Sequence, residues 1–402
     1  MIACNSSTTS SAKRQNRPRH EVAEVIRGWG KEFLDGQKVV PQVRKSFASM
    51  AQCRTSALGG HVERCPECGE IHISYNSCRD RHCPKCQNKE REQWVEMRRE
   101  EVLPGVKYFH VVFTIPDCLH RVAMANQALF YNCMFKAAWA TLRKFFENKG
   151  LQGGMTSVLH TWGSNLYYHP HIHCIVPGGG VDVDGVWHGL ESCKKSDFLF
   201  PVQALSLMFR GKMMSMLTKA LAKAGQPAME QHVRFKCFEK AWVVYSRPPA
   251  KGVHQVLEYI GRYAYRVAIS NSRIKDVTPD GKVTYDWKDY KHGAVHKDMT
   301  VTADNFLHLF SLHILPPGLV RIRHYGLLSP SCRGKLRKAQ AQLGATPVPK
   351  YRTKKPYLQI SEEKGWGIGW CKCCGCRMQI VQTFERPRSP PQTALRLTAK
   401  HA

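Results

Sequence analysis

His169-Pro170-His171-Ile172-His173-Cys174-Ile175-Val176-Pro177 is the stretch on which the reading of this chain turns. Side chains on a β-strand alternate between faces, so His171 and His173 share one face and Ile172 takes the other. Pro170 stands at the strand entrance, where its missing N–H costs nothing. Two imidazoles side by side on a sheet face make half of a divalent-metal site. Taken alone, the pair reads better as two surface histidines on a hairpin. The segments around it reverse that order.

Upstream, Tyr108-Phe109-His110-Val111-Val112-Phe113-Thr114-Ile115-Pro116 reads as a buried strand closed by proline. An apolar, aromatic helix follows over 126–148 and a second strand over 155–162. The turn at 163–168 then joins that strand to the histidine strand as a hairpin. An Asp-Gly ribbon at 181–187, a helix over 202–223, a strand over 241–246 and a helix over 253–263 complete the order β-α-β-β-α-β-α. This order predicts an α+β fold, an antiparallel sheet with helices on one face and the histidine strand near its centre. Segments 267–278 and 282–287 flank the turn Pro279-Asp280-Gly281, and a helix is expected over 303–315. Toward the N-terminus, helices are expected over 21–34, 41–50 and 88–102. No internal repeat is visible.

The chain has 402 residues, of which 60 are Lys or Arg and 31 Asp or Glu, for a net charge of +29. That excess calls for a polyanionic partner, by default nucleic acid. It is concentrated from Arg321 onward, where 17 Lys and Arg face three acids. No apolar run has membrane length, and the polar, basic start has no apolar signal segment, so a cytoplasmic protein is expected. Seventeen cysteines in a reducing compartment then favour metal over disulfides.

Cys65-Pro66-Glu67-Cys68 and Cys83-Pro84-Lys85-Cys86 form two CxxC knuckles separated by 14 residues. Two such knuckles supply a tetrahedral structural zinc site, with no position left open for catalysis. Cys53, His61, His72, Cys78 and His82 are further donors nearby, which leaves room for a second site or another choice of ligands. Arg54, Arg64, Arg79, Arg81, Lys85, Lys89 and Arg91 give the module a basic surface suited to DNA. Cys371, Cys373, Cys374 and Cys376 are too crowded for one relaxed site. The 371/374 or the 373/376 pair could supply two ligands, but no second pair follows, so metal is not expected there. Cys118, Cys133, Cys174, Cys193 and Cys237 read as core residues.

In the 253–265 stretch, VHQVLEYIGRYAY, Val253, Val256, Leu257 and Ile260 share one helical stripe. Tyr259 and Tyr263, four apart, stack along its flank. Tyr265 lies about 160° from Tyr263 on the same wheel and is a poor third member. Gly261 costs about 1 kcal/mol relative to alanine in mid-helix, which suggests a backbone pressed against a neighbour. Two tyrosines against a sheet are ordinary packing. Beside a histidine pair, a zinc module and a strong positive charge they gain a chemical use. A phenolate can attack a DNA phosphodiester, forming a phosphotyrosine and freeing a 3′-hydroxyl, while a metal polarises the phosphate.

With HVVFTIP (110–116), HPHIHC (169–174), YIGRYAYRVAISN (259–271), RIRHYGLLS (321–329) and the cysteine segment CPECG…SCRDRHCPKCQ, the chain resembles the two-tyrosine rolling-circle transposases of bacterial insertion sequences. These belong to the HUH endonuclease superfamily, and here the core follows a transposase zinc-binding domain. The resemblance spans roughly residues 20–330. It implies a ferredoxin-like or RRM-like core, Mg²⁺ or Mn²⁺ on His171 and His173, and Tyr259 and Tyr263 as nucleophiles. It also implies nicking and rejoining of single-stranded DNA at element ends. The motif does not give the third metal ligand: His160 on the paired strand is the first candidate and Gln255 on the tyrosine helix the second. Arg262 and Arg266 could contact phosphates, Trp162 and Tyr168 could stack on bases, and the basic residues from Arg333 to Lys355 could hold DNA backbone. The expected organisation is a disordered tail over 1–19 and a zinc-binding DNA-binding domain over 20–104. A catalytic domain over 105–330 and a basic region with a cysteine cluster over 331–402 follow. Two alternatives stand beside the transposase: a plasmid or phage replication initiator or relaxase, and a non-catalytic zinc-dependent DNA-binding regulator.

Overall fold

In a computed structural model, residues 18–190, 198–247, 258, 261, 263–290 and 292–386 are described. The architecture is α+β, as expected. Its centre is a five-stranded, wholly antiparallel sheet built from β3 (Tyr108–Thr114), β4 (Gly154–Trp162), β5 (Tyr168–Pro177), β8 (Val244–Arg247) and β12 (Ile322–Gly326). They run in the order β12-β4-β5-β3-β8, so the histidine strand is the middle one. β4 and β5 form the expected hairpin.

Alternation along these strands sorts the side chains into two faces. Phe109, Val111, Phe113, Met155, Leu159, Ile172, Cys174 and Val176 point into the main core. There they meet α5 (Gln127–Glu147) and α6 (Val202–Lys223), which lie against each other under the sheet. Pro201 precedes α6, and Phe209 from that helix sits 4.7 Å from Phe113, ring to ring. Covering one face this fully leaves the opposite face, with His110, His160, His171 and His173, for chemistry.

A second core joins the N-terminus to the middle of the chain. α1 (Val22–Gly36) starts with a capping box between Glu21 and Glu24, and α2 (Pro41–Ala51) starts on a proline. Both pack on α8 (Ala303–Ser311), whose Thr302 cap accepts from the Asn305 amide, through the rings of Phe33, Phe47 and Phe310. The sheet of β9 (Ile274–Val277), β10 (Lys282–Asp289) and β11 (Val295–Thr302) closes this core. A third sheet joins β1 (Gly60–Arg64), β2 (Ile71–Tyr75) and β13 (Gln379–Phe384), with β1 in the middle. Expected boundaries near 104 and 330 therefore cut through shared cores and a shared sheet. The remaining elements are α3 (Gln87–Arg99), α4 (His120–Ala125), β6 (Gly179–Val181), β7 (Trp187–Gly189), α7 (Gln231–Glu239), α9 (Arg333–Gln342) and α10 (Tyr357–Glu363). β6 and β7 are the expected Asp-Gly ribbon.

Sequence patterning missed β1, β2, β11, β12, β13, α4, α7, α9 and α10. Of the segment 267–278 that flanks the expected turn, only Ile274–Val277 is a strand, after a short 3₁₀ turn (Asn271–Arg273), and the helix expected to 315 ends at Ser311. The tail expected over 1–19 falls almost wholly outside the described residues, as does Cys193. No described helix is long and apolar enough to cross a membrane.

Candidate active site

Register places the histidines. On the face of the sheet away from α5 and α6, His171 lies opposite Thr114 of β3 and His160 of β4, and His173 lies opposite Val112 and Val158. One ring nitrogen from each of His160, His171 and His173 falls within 4.8 Å of those of the other two. Hydrogen bonds fix which nitrogens keep a lone pair. The Nδ1–H of His171 donates to the His169 carbonyl at 2.7 Å, so its Nε2 is an acceptor. That Nε2 faces Nε2 of His173 at 3.1 Å. The Nε2–H of His160 donates to the Tyr263 carbonyl at 2.7 Å, which leaves Nδ1 with its lone pair. Burial holds all three rings neutral: the His171 pKa falls to about 3, and those of His160 and His173 fall well below the ordinary value. Neutral imidazoles with facing lone pairs, each oriented through its other nitrogen, fit a divalent cation well.

His110 completes the group, and sequence reading gave it no role. It lies two residues before Val112 and so shares the histidine face. Its Nε2 meets Nδ1 of His173 at 2.7 Å, and burial lowers its pKa to about 4. The signal was available in the alternation of HVVFTIP, had the strand face been assigned.

Tyr263 reaches this cluster. It is helical and half-buried, its ring 4.3 Å from that of His173, 5.4 Å from His110 and 5.9 Å from His160. Tyr259, Gln255 and Arg262 lie outside the described residues. Gly261 is pressed against α3: a Cβ there would lie 2.4 Å from Val95 Cγ2, as its mid-helix position suggested. Tyr265 turns away to Trp94, with ring centroids 6.1 Å apart. Arg266 is exposed, and its charge adds to the depression of all three histidine pKa values. It lines a cavity of about 480 Å³ with Lys85, Arg91, Tyr265 and Arg273.

Other expectations are redirected. Trp162 stacks on His160 at 4.5 Å, and Tyr168 shares a 2.7 Å hydroxyl hydrogen bond with buried Tyr131, so both are packing residues. Arg352 is spent on Glu100 and Glu101 rather than facing outward. Arg81 donates to the Leu315, Pro316 and Leu319 carbonyls.

The expected zinc set Cys65, Cys68, Cys83 and Cys86 is divided. Cys83 and Cys86 join Cys53 and Cys78, with Cys53 Sγ 3.2 Å from Cys86 Sγ and 3.6 Å from Cys83 Sγ. Cys65 and Cys68 join Cys371 and Cys374 instead. The two knuckles cannot share an ion because β1 and β2 carry the first one away from the second. Every described cysteine is unbridged. Sulfurs tetrahedral about zinc at about 2.3 Å stand about 3.8 Å apart, close to the spacing seen in the buried cluster. His61, His72 and His82 are not ligands: the first two pair with Glu63, and His82 is held between Asp80 and the Leu315 amide.

Comparison with known proteins agrees with this layout. Residues 154–335 match the family described as "Putative transposase", and residues 25–115 match "Transposase zinc-binding domain". The chain is 41% identical over 393 residues to "Putative transposase y4qJ" of Sinorhizobium fredii, covering 92% of this chain and 97% of that protein. It is 28% identical over 348 residues to "Transposase for insertion sequence element IS801" of Pseudomonas savastanoi pv. phaseolicola, covering 84% and 83% respectively. No solved structure matches significantly. A zinc-binding N-terminal region, a histidine sheet with a tyrosine on it, and near-full-length similarity lead to one conclusion: the chain belongs to the two-tyrosine transposase family of insertion sequences.

Proposed function

We propose that this transposase nicks and rejoins single-stranded DNA at the ends of its element through a 5′-phosphotyrosine. The observation that carries the reading is the Tyr263 ring lying 4.3 Å from His173, beside three imidazoles whose ring nitrogens converge. The Tyr263 phenol oxygen attacks a backbone phosphorus; a Tyr–O–P bond forms and the P–O3′ bond breaks. The phenol proton leaves to solvent, and the departing 3′-oxygen takes up a proton to become a hydroxyl. His171, His173 and His160 would hold Mg²⁺ or Mn²⁺, which supplies Lewis-acid polarisation of the phosphate. His110 orients His173, and the His160 bond to the Tyr263 carbonyl keeps the nucleophile's backbone beside the cluster. Arg266 offers a charge to the neighbouring phosphate. Tyr259, four residues earlier in the sequence, would serve the second cleavage. Because the covalent link retains the phosphodiester energy, rejoining needs no nucleotide cofactor. The partners are then single-stranded element ends and target DNA.

Labelled single-stranded oligonucleotides from the element's own ends, incubated with the protein and Mg²⁺ or Mn²⁺, should give a covalent adduct that maps to Tyr259 or Tyr263. The double variant Tyr259→Phe/Tyr263→Phe should give none. An adduct that survives this double change defeats the reading, and duplex binding without scission would favour a non-catalytic regulator.

A further inference from the structure

We propose that Cys65, Cys68, Cys371 and Cys374 form a second zinc site that closes a zinc ribbon from opposite ends of the chain. The inference goes beyond strand cleavage and does not depend on it. Cys65 Sγ lies 3.3 Å from Cys374 Sγ and Cys68 Sγ lies 3.5 Å from Cys371 Sγ, although these pairs are 309 and 303 residues apart in sequence. All four sulfurs fall within 4.8 Å of one another.

The two halves are built alike. Cys65-Pro66-Glu67-Cys68-Gly69-Glu70 and Cys371-Lys372-Cys373-Cys374-Gly375-Cys376 share the pattern CxxCGx. In the first, the Cys65 amide donates to the Glu70 carbonyl at 2.9 Å and the Gly69 amide to the Cys65 carbonyl at 3.1 Å. In the second, the Cys371 amide donates to the Cys376 carbonyl at 2.7 Å and the Gly375 amide to the Cys371 carbonyl at 3.0 Å. Both glycines take positive φ, +75° and +73°, which a side chain would resist. An additional bond runs from the Cys373 amide to Cys371 Sγ at 3.4 Å, of the kind that steadies a ligand sulfur. Two equivalent turns each aim a cysteine pair at one point.

The sheet supports the same assembly. β1 and β2 flank the first knuckle, β13 follows the second, and β13 pairs with β1 from Gly60↔Phe384 to Arg64↔Gln379. Gly59 and Gly60 let the neighbouring strands in close: a Cβ on Gly59 would fall 2.5 Å from the Phe384 carbonyl oxygen of β13, and one on Gly60 would fall 2.3 Å from the Ser74 carbonyl oxygen of β2 and 2.9 Å from the Phe384 ring. Ile71, Ile73, Ile380 and Val381 on these strands are largely exposed. So small a sheet with so little buried apolar surface needs a metal to hold it. Four thiolates with tetrahedral spacing and no open position select a structural zinc ion. Disulfides would need sulfurs about 2.05 Å apart.

The test counts metal on the full-length protein purified without chelator. Two zinc ions per chain are expected. Cys68 and Cys374 lie exposed, yet both should resist iodoacetamide in the zinc-loaded protein and react once a chelator is added. One ion per chain with both thiols freely alkylated, or either cysteine found in a disulfide, overturns the proposal. Cys371→Ser/Cys374→Ser should retain one ion and its helical circular dichroism while trypsin cuts the segment after Lys364 faster. Cys373→Ser/Cys376→Ser should keep two; loss of an ion from that variant would overturn the ligand assignment. If the Cys371/Cys374 variant fails to fold, the alkylation pattern of the unaltered protein decides. Neither zinc count nor alkylation reads DNA cleavage, so this proposal and the phosphotyrosine reading fail separately.

Discussion

The imidazole of His110 governs which nitrogen of His173 is available to a cation. Its Nε2 sits 2.7 Å from His173 Nδ1, so its loss would free that ring to rotate or change tautomer. His110→Ala is expected to weaken Mn²⁺ binding by about 10- to 100-fold while the fold survives, as isothermal titration and circular dichroism would record. His313 predicts a pH effect. Its Nε2–H donates to the Leu166 carbonyl at 2.8 Å, Thr161 lies on its other side, and burial lowers its pKa to about 4. Unfolded histidine titrates near 6.5, so between about pH 6.5 and 4 the unfolded chain binds a proton that the folded chain does not. Stability is therefore full above this window and falls as pH drops through it, by at most about 3 kcal/mol from this residue. Urea midpoints at pH 7 and pH 4.5 should differ less for His313→Asn than for the unaltered protein.

Among the elements, the tyrosine segment and α3 depend on each other. Gly261 gives α3 the room it needs, and Trp94 of α3 packs on both Tyr265 and His324. Gly261→Ala drives a methyl into Val95, and overpacking of this kind costs about 1–3 kcal/mol. Oligonucleotide cleavage by this variant should fall at least about tenfold, with Mn²⁺ affinity little changed. Adding Val95→Ala should restore much of the activity; failure of that rescue would mean that Gly261 acts otherwise. Long elements were legible because their own pattern buries them. α6 begins and ends where Pro201 and the apolar period put it, and β5 is framed by its proline and hairpin turn. β12 was not legible: Ile322-Arg323-His324-Tyr325 carries no apolar alternation and becomes a strand only by pairing with β4. β1 and β13 lack apolar alternation, and β2 alternates over Ile71-His72-Ile73-Ser74-Tyr75 yet leaves Ile71 and Ile73 exposed; the order of all three comes from neighbouring strands and clustered sulfurs.

Across the whole molecule, the C-terminal region is a strap that ties the zinc-binding region to the sheet. Arg352 binds Glu100 at 2.9 Å and Glu101 at 2.6 Å with its side chain almost wholly buried, Lys364 pairs with buried Glu92, and Asn88 donates to the Tyr357 hydroxyl at 2.9 Å. Burial pushes the Glu101 carboxyl above its usual range despite the arginines around it, so removing a cation there is costly. Arg352→Ala should destabilise the protein by about 1–3 kcal/mol, seen as a lower denaturant midpoint, because it removes charge-assisted bonds to Glu100 and Glu101 and leaves Arg98 as the main partner of buried Glu101. Much of the C-terminal positive charge that suggested a DNA grip is thus part of internal ties. Lys338, Lys350 and Lys354 stay exposed in that region, and Arg266, Lys85, Arg91 and Arg273 line a separate cationic cavity.

The amino-acid sequence by itself determined four of the five strands of the central sheet, its two helices, the face that carries His171 and His173, and the family. Each of these rests on local periodicity or on residues adjacent in the chain. His160, on the paired strand, was already the first candidate to join the histidine pair; only the tertiary structure decided which four sulfurs meet, that His110 joins the histidines, and that Tyr263 lies over them. Those groupings depend on strand register and on contacts between segments as much as about 300 residues apart, and sequence spacing carries no record of such distances.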